Sequence, residues 1–234
     1  MKEYHYFRDT NYPIRISDKT CTLTPYTFLN DNTMWEEDSI KHFFDMIPKD
    51  KAVNIIDIGA QSGLYSLYAK YLPVATFFSF EPFKTTFDLL NENIQLNNIL
   101  NVDTYNIGIS NKKETTILNT SISHNGLHTL GNNPLRFNDI CQVSINVDTI
   151  DNLFYDKNIS VDFIKIDTEG WEYNILKGGE NTIKQYKPII QLEWNEINMK
   201  QCSVDSIEFN NYLTTTLGYK KLQTINEELF IGPI

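Results

Sequence analysis

Two groups of residues have the types and spacing to do chemistry. The first is a glycine turn, Asp57-Ile58-Gly59-Ala60-Gln61-Ser62-Gly63, closing an apolar run that begins at Asn54. The second is polar: Asp167 and Glu169 end a later apolar run, and Glu193 and Asn195 end the next. A glycine turn between strand and helix lets a ligand approach the backbone closely, while carboxylates gathered at neighbouring strand ends can take up protons or hold hard cations. Lys165 is in phase with Asp167 along its strand, so its ammonium shares a face with that carboxylate and can hold it ionised.

The glycine spacing rules out two ligand classes. A dinucleotide site requires G-x-G-x-x-G, but the two positions that should follow Gly59 as glycines are Gln61 and Leu64. A phosphate-binding loop requires a lysine after its second glycine, and none follows Gly63. A ligand that needs a close turn but carries no phosphate remains, and S-adenosylmethionine fits that description, with its amino-acid end against the turn. Glu81, ending the next apolar run, is placed to accept hydrogen bonds from both ribose hydroxyls, and the adenine is expected around Asn106 to Gly108. The expected cofactor contacts are therefore Asp57, Gly59, Ala60, Gln61, Gly63, Glu81, Pro82, Asn106, Gly108 and Asp167. The competing reading of Gly59 and Gly63 is a tight turn with no ligand.

The elements that position these groups follow an α/β rhythm from Val53 onward, the pattern of a parallel sheet covered by helices on both faces. Strands are predicted at Asn54 to Ile58, Thr76 to Phe80, about Asn101 to Ile109, Val161 to Ile166 and Pro188 to Trp194. Leu64, Leu67, Tyr68 and Tyr71 predict one helix, and Phe83, Phe87, Leu90 and Ile94 a second. A short helix is expected to end at Lys177-Gly178-Gly179 with glycine as its cap, and a longer one to span Ser203 to Leu217. Tyr219 to Thr224 and Leu229 to Ile231 read as an antiparallel edge pair. Residues 1 to 50 read as an N-terminal cap segment on a main domain of residues 51 to 234, one structural domain overall. Within the cap, Thr33-Met34-Trp35-Glu36 has capping-box spacing, and Ile40, Phe43, Phe44 and Ile47 recur at helical intervals.

Residues 111 to 147 break the rhythm. Glu114 to Leu118 and Gln142 to Val147 read as strands, and the polar stretch 119 to 139 between them is expected to form part of an acceptor pocket. Substrate contacts are expected from His124, His128 and Arg136 there and from Asn195, the competing reading for the histidines being solvated loop positions. Trp171 and Trp194 read as core or wall residues.

The 234 residues, 41% hydrophobic and 21% charged, suit a globular chain able to bury a large core. A formal charge of −10 repels phosphate backbones and anionic membranes, so nucleic acid and membrane partners are not expected. No apolar run approaches bilayer length and residues 1 to 11 lack a signal-like stretch, which predicts a soluble, cytoplasmic protein. Cys21, Cys141 and Cys202 are far apart and form no zinc or disulfide framework.

From about Trp35 to Trp194 the chain resembles the FkbM family of methyltransferases. Four stretches carry the likeness: Ile56 to Ser66, Phe80-Glu81-Pro82, Leu90 to Asn97, and Ile164 to Glu172. The family usually has Asn where this chain has Gln61, which keeps an amide. The resemblance implies a class I methyltransferase fold, Rossmann-like with a mostly parallel seven-stranded sheet and here an N-terminal helical cap. It also implies O-methylation of a small molecule, with a sugar or nucleotide sugar as the expected acceptor. A sugar hydroxyl has a high pKa and must lose its proton during attack, to a base or beside a metal ion. The candidate catalytic set is Asp167, Glu169, Lys165 and Glu193; if a metal such as Mg2+ takes part, Asp167, Glu169 and Glu193 are its expected ligands. Glu172 reads as a helix cap. Two other functions compete. RNA ribose 2'-O-methylation uses a lysine and carboxylate set loosely like Lys165, Asp167 and Glu193, but the net charge opposes it. A non-catalytic cofactor-binding module is opposed by the intact Asp57, Gly59, Gly63 and Glu81.

Overall fold

The computed structural model describes residues 2–5, 12–19, 36–121, 126–131 and 140–234. It opens with a two-stranded antiparallel sheet that the sequence reading missed, β1 (Lys2–His5) against β2 (Pro13–Ile16). Helix α1 (Glu37–Asp45) follows and buries Ile40, Phe43 and Phe44, with Ile47 beyond its end, as their spacing predicts. The helix begins after Glu36, whose backbone is left-handed at φ 60°, so it does not start at the capping box. Thr33, Met34 and Trp35 lie outside the described residues.

Beyond α1 come β3 (Asn54–Ile58), β4 (Thr76–Phe80), helix α2 (Lys84–Leu96) and β5 (Val102–Tyr105). Both β3 and β4 have the predicted bounds. The segment after the glycine turn is a 3₁₀ helix, Ser66–Tyr71, where an α-helix was predicted. Tyr65 to Ala69 are all buried, so Lys70 is the exposed residue of this segment, and its length is limited by Pro73.

The predicted third strand breaks in two. Asn106 donates its side-chain amide to the carbonyls of Glu81 and Pro82 at 2.9 and 3.0 Å, and the chain bends there out of the main sheet. It continues as β6 (Gly108–Ile109) in a separate three-stranded sheet with β7 (Glu114–Ser121) and β8 (Ile140–Asp148), in the order β6-β8-β7. The chain re-enters the main sheet at β9 (Phe163–Ile166), followed by α3 (Glu172–Lys177), α4 (Glu180–Tyr186) and β10 (Ile189–Glu193). Gly178 does not form a left-handed cap. A Cβ there would lie 2.1 Å from the Ser110 carbonyl, so glycine is required for close packing.

The chain closes with α5 (Glu196–Gln201), α6 (Ser206–Asn211), a wider helical turn at Tyr212–Thr216, β11 (Tyr219–Ile225) and β12 (Glu228–Pro233). The expected helix from Ser203 starts instead where Asp205 caps it, accepting from the amides of Ile207 and Glu208 at 2.9 Å. The sheet order is β11-β12-β10-β9-β3-β4-β5, and β12 runs antiparallel to β10. The antiparallel pairing of β11 with β12 agrees with the sequence reading, but β12 lies inside the sheet and only β11 is at its edge.

Alternation along the strands divides the core in two. Ile55, Phe77, Phe163 and Phe230 face α1, α2 and the 3₁₀ helix. Ile56, Ile58, Ile164, Ile166, Ile190 and Leu192 face α3 to α6. Strand order reverses between β3 and β9, and their carboxyl ends flank the crevice where an open sheet of this type binds ligands. No helix among the described residues is long and apolar enough to cross a membrane.

Candidate active site

The glycine turn leaves β3 directly against the end of β9. Gly59 has φ +75°, and a Cβ there would fall 1.9 Å from the Asp167 carbonyl oxygen. Its glycine is therefore required by the chain itself, whatever ligand the turn receives. The amides of Gly59 and Ala60 both donate to the Phe80 carbonyl at 3.1 Å, tying the turn to β4. Glu81, at the end of β4, is 4% exposed and accepts from the Gln61 amide at 2.9 Å and the Phe83 amide at 2.8 Å. Burial pushes its pKa up to about 7 against those bonds. A carboxylate has about four acceptor sites, so the group retains capacity for a ligand hydroxyl.

Asp57 lies beneath the turn. It is 1% exposed, accepts from the Ser66 hydroxyl at 2.5 Å and sits 3.7 Å from the Lys165 ammonium. Burial raises its pKa and Lys165 opposes the rise. Asp57 thus supports the turn from below. Pro82 and Gly108 meet behind Glu81, where a Cβ on Gly108 would lie 3.6 Å from Pro82. Gly63 is buried against Leu90 and Leu67.

Asp167, Glu169 and Glu193 converge at the ends of β9 and β10, each offering an oxygen within 4.8 Å of the others. Glu169 reaches the cluster because its backbone is left-handed, at φ 56°. The loop that presents it is closed by Glu172, which is 1% exposed and accepts from the Thr168 amide and hydroxyl at 2.9 and 2.8 Å. Lys165 connects this cluster with the glycine turn. Its ammonium lies 3.5 Å from Asp167, donates to the Gly59 carbonyl at 3.1 Å and sits 5.0 Å from the Tyr65 ring centroid. Burial works against its charge, but Asp167 and Asp57 prevail and hold it protonated, above the ordinary lysine range. Burial and the neighbouring Glu169, Asp167 and Glu172 push Glu193 well above the usual carboxylate range. Three carboxylates this close call for a proton or a cation among them, and their hard oxygens suit a divalent ion such as magnesium.

Asn198 was not found by sequence reasoning, yet it holds this cluster together. Its amide, 1% exposed, donates to Glu169 at 2.7 Å and to the two oxygens of Glu193 at 3.2 and 3.3 Å. Asn195, expected to touch substrate, is the cap that positions it. The Asn195 side chain accepts from the amides of Ile197 and Asn198 and donates to Glu227 at 2.9 Å. The available signal was Asn195 as a capping residue directly after an apolar run.

Part of the polar excursion returns across the site. Thr129 pairs its backbone with Asn119 and donates its hydroxyl to the Glu169 carbonyl at 2.9 Å. A Cβ on Gly126 would lie 2.9 Å from the Gln61 amide, so this segment also reaches the glycine turn. His128 packs on Phe83 with ring centroids 4.5 Å apart. His124 and Arg136 lie outside the described residues, as does Asn132.

A family model described as the methyltransferase FkbM domain matches residues 57–221. Methyltransferase 1 of Beauveria bassiana (strain ARSEF 2860) is 25% identical over 179 residues, covering 69% of this chain and 72% of the relative. Methyltransferase sdnD of Sordaria araneosa is 26% identical over 198 residues, covering 72% and 76%. Among solved structures, a methyltransferase FkbM from Methylobacillus flagellatus KT matches with a TM-score of 0.51 at 17% identity, over 80% of this chain and 45% of that one, so the match spans less than half of the solved chain. A Streptococcus mutans candidate methyltransferase solved in complex with SAH gives a TM-score of 0.50 at 10% identity, over 85% and 97%. At such identities the structural likeness is one of fold.

Proposed function

From the premise that this chain belongs to the FkbM family of S-adenosylmethionine-dependent methyltransferases, we propose that it methylates a hydroxyl oxygen of a small molecule, a sugar or nucleotide sugar. The observation that carries this reading is the convergence of Asp167, Glu169 and Glu193 beside Lys165, next to the glycine turn. Methylating a hydroxyl requires an acceptor for its proton, and this cluster supplies one at the mouth of the crevice. The net charge of −10 favours a small acceptor over a nucleic acid backbone.

S-adenosylmethionine supplies an electrophilic methyl group when bound, so the protein's main task is alignment and proton removal. Glu81 accepts the ribose hydroxyls, and the turn from Gly59 to Gly63 receives the amino-acid end. Lys165 pairs with Asp167 at 3.5 Å and orients it, and Asp167 takes the acceptor's proton as its oxygen attacks. Asn198 and Glu172 hold Glu169 in place. If the site uses Mg2+, Asp167, Glu169 and Glu193 are the residues that hold it, and the ion would stabilise the developing alkoxide. The segment from Gly126 to Gly131 walls the acceptor side.

The test is radiolabelled methyl transfer to nucleotide sugars, free sugars and short capped RNA. Labelling of the sugar class supports the reading, and efficient labelling of RNA alone overturns it. The Asp167→Asn variant is expected to lower kcat by about 10² to 10⁴ with little change in cofactor affinity. A chelator followed by magnesium separates the two modes, since only a metal-assisted enzyme loses and regains activity.

A further inference from the structure

A cleft of about 250 Å³ opens between α3 and the small sheet, apart from the acid cluster. Trp171 and Asn174, three residues apart and so on one side of a helical turn, form one wall. Thr116 and Glu114, two apart on β7, share the other, and Leu130 adds an apolar contact. These walls are held firmly. The Trp171 indole donates to the Ser110 hydroxyl at 3.1 Å, and the close approach of Gly178 to the Ser110 carbonyl fixes the far end of α3.

The cleft adjoins the active site without joining it. Trp171 lies two residues beyond Glu169, and Leu130 follows Thr129, whose hydroxyl donates to the Glu169 carbonyl at 2.9 Å. The loop of Glu169 to Trp171 connects the two. Asp167, Glu169 and Glu193 do not line the cleft, so a ring seated there is not the one that meets Asp167.

The lining specifies a type of ligand. Lys112 is paired with Glu114 at 2.9 Å, and that carboxylate in the lining opposes an anionic ligand. The amides of Asn111 and Asn174 and the Thr116 hydroxyl supply both donors and acceptors. Beside them the half-buried indole of Trp171 and the side chain of Leu130 are apolar. A lipid chain would leave the amides unpaired at a cost, whereas a neutral ring bearing several hydroxyls satisfies them and covers the indole with its C–H groups.

We propose that this cleft is a saccharide subsite, seating a neutral sugar unit of the acceptor other than the unit that is methylated. The proposal rests on the reading of the acceptor as a hydroxylated small molecule, and it extends that acceptor to at least two rings.

Saturation-transfer NMR tests it, using the methyl glycosides of glucose, galactose, mannose and rhamnose together with maltose, lactose and cellobiose. SAH calorimetry is run on the same samples. Wild-type protein is expected to show transfer to at least one saccharide. The Asn174→Ala variant should weaken binding by fivefold or more, and Thr116→Trp, which fills the cleft, should abolish it, both with unchanged SAH affinity. For a disaccharide acceptor, Thr116→Trp should raise KM by tenfold or more and leave the monosaccharide KM within twofold. No saccharide signal from wild-type protein that binds SAH, or a signal that survives Thr116→Trp, overturns the subsite and leaves the methyltransferase reading intact. Wild-type protein that folds but binds neither SAH nor saccharide overturns both. Saccharide binding lost in the variants without methylation of any bound saccharide overturns the cleft's place in the acceptor site.

Discussion

Replacing Glu81 tests the cofactor reading most directly, because its carboxylate has two separable duties. In the folded chain it accepts from the amides of Gln61 and Phe83 at 2.9 and 2.8 Å, and alanine would strand both donors in a buried place. Each stranded donor costs about 1 to 3 kcal/mol, so Glu81→Ala loses stability as well as ligand contacts. Glu81→Gln is the cleaner variant. It keeps the volume and one acceptor oxygen, so it strands one of the two backbone donors rather than both, and it removes the charge, forfeiting a hydrogen bond to a charged group worth about 1.5 to 3 kcal/mol. That corresponds to a roughly tenfold to 150-fold weaker Kd for SAH. The wild-type group also titrates in reach of the assay, since burial pushes its pKa up to about 7. The ionised form is the better acceptor, so wild-type SAH affinity should fall as pH drops from 8 to 6, and the glutamine variant should stay flat. Isothermal calorimetry at several pH values, with thermal melts to confirm folding, reads both effects. A folded Glu81→Gln protein binding SAH within twofold of wild type at pH 8 would refute the ribose assignment.

Other perturbations have equally defined outcomes. Asn198→Leu removes the amide shared by Glu169 and Glu193, and kcat should fall by tenfold or more while SAH affinity holds; unchanged turnover on a defined acceptor would exclude the clamp. Gly59→Ala places a methyl against the Asp167 carbonyl at a left-handed φ, which should cost on the order of 3 kcal/mol or more, seen as a lower urea midpoint. Burial raises the carboxyls of Glu81 and Glu172 to about 7 and that of Glu228 to about 8, so the folded state holds protons that the unfolded state releases near the ordinary glutamate range. Their contribution is fully present below about pH 4.5 and is lost as pH rises through 7 to 8. The melting temperature of the apo protein should therefore decline from pH 5.5 to 8.5, and a rise across that window would contradict the burial of these groups.

Local order was legible in the sequence wherever a short-range pattern encodes it. The bounds of β3 and β4 were read correctly because both are rich in the Ile and Phe that a strand buried on both faces needs, and a glycine or Glu-Pro ends each run. The strand-end carboxylates Asp167, Glu169 and Glu193 were legible for the same reason, since adjacent parallel strands bring their carboxyl ends together. The α/β rhythm and the FkbM stretches then indicated the family.

Only the tertiary structure decided which side chains meet across long separations. Asn198 reaches Glu169 from 29 positions away, on a helix of six residues too short to show a period. Lys165 shares a face with Asp167 by strand alternation, but its approach to Asp57 and to the Gly59 carbonyl depends on β9 settling beside β3. The break after Tyr105 likewise depends on Asn106 finding the carbonyls of Glu81 and Pro82, more than 20 residues earlier in the chain. Periodicity and turn chemistry act between neighbours and are written locally. The partner of a buried amide or ammonium is chosen by how whole strands and helices pack, because a buried polar group must find a partner wherever packing places one.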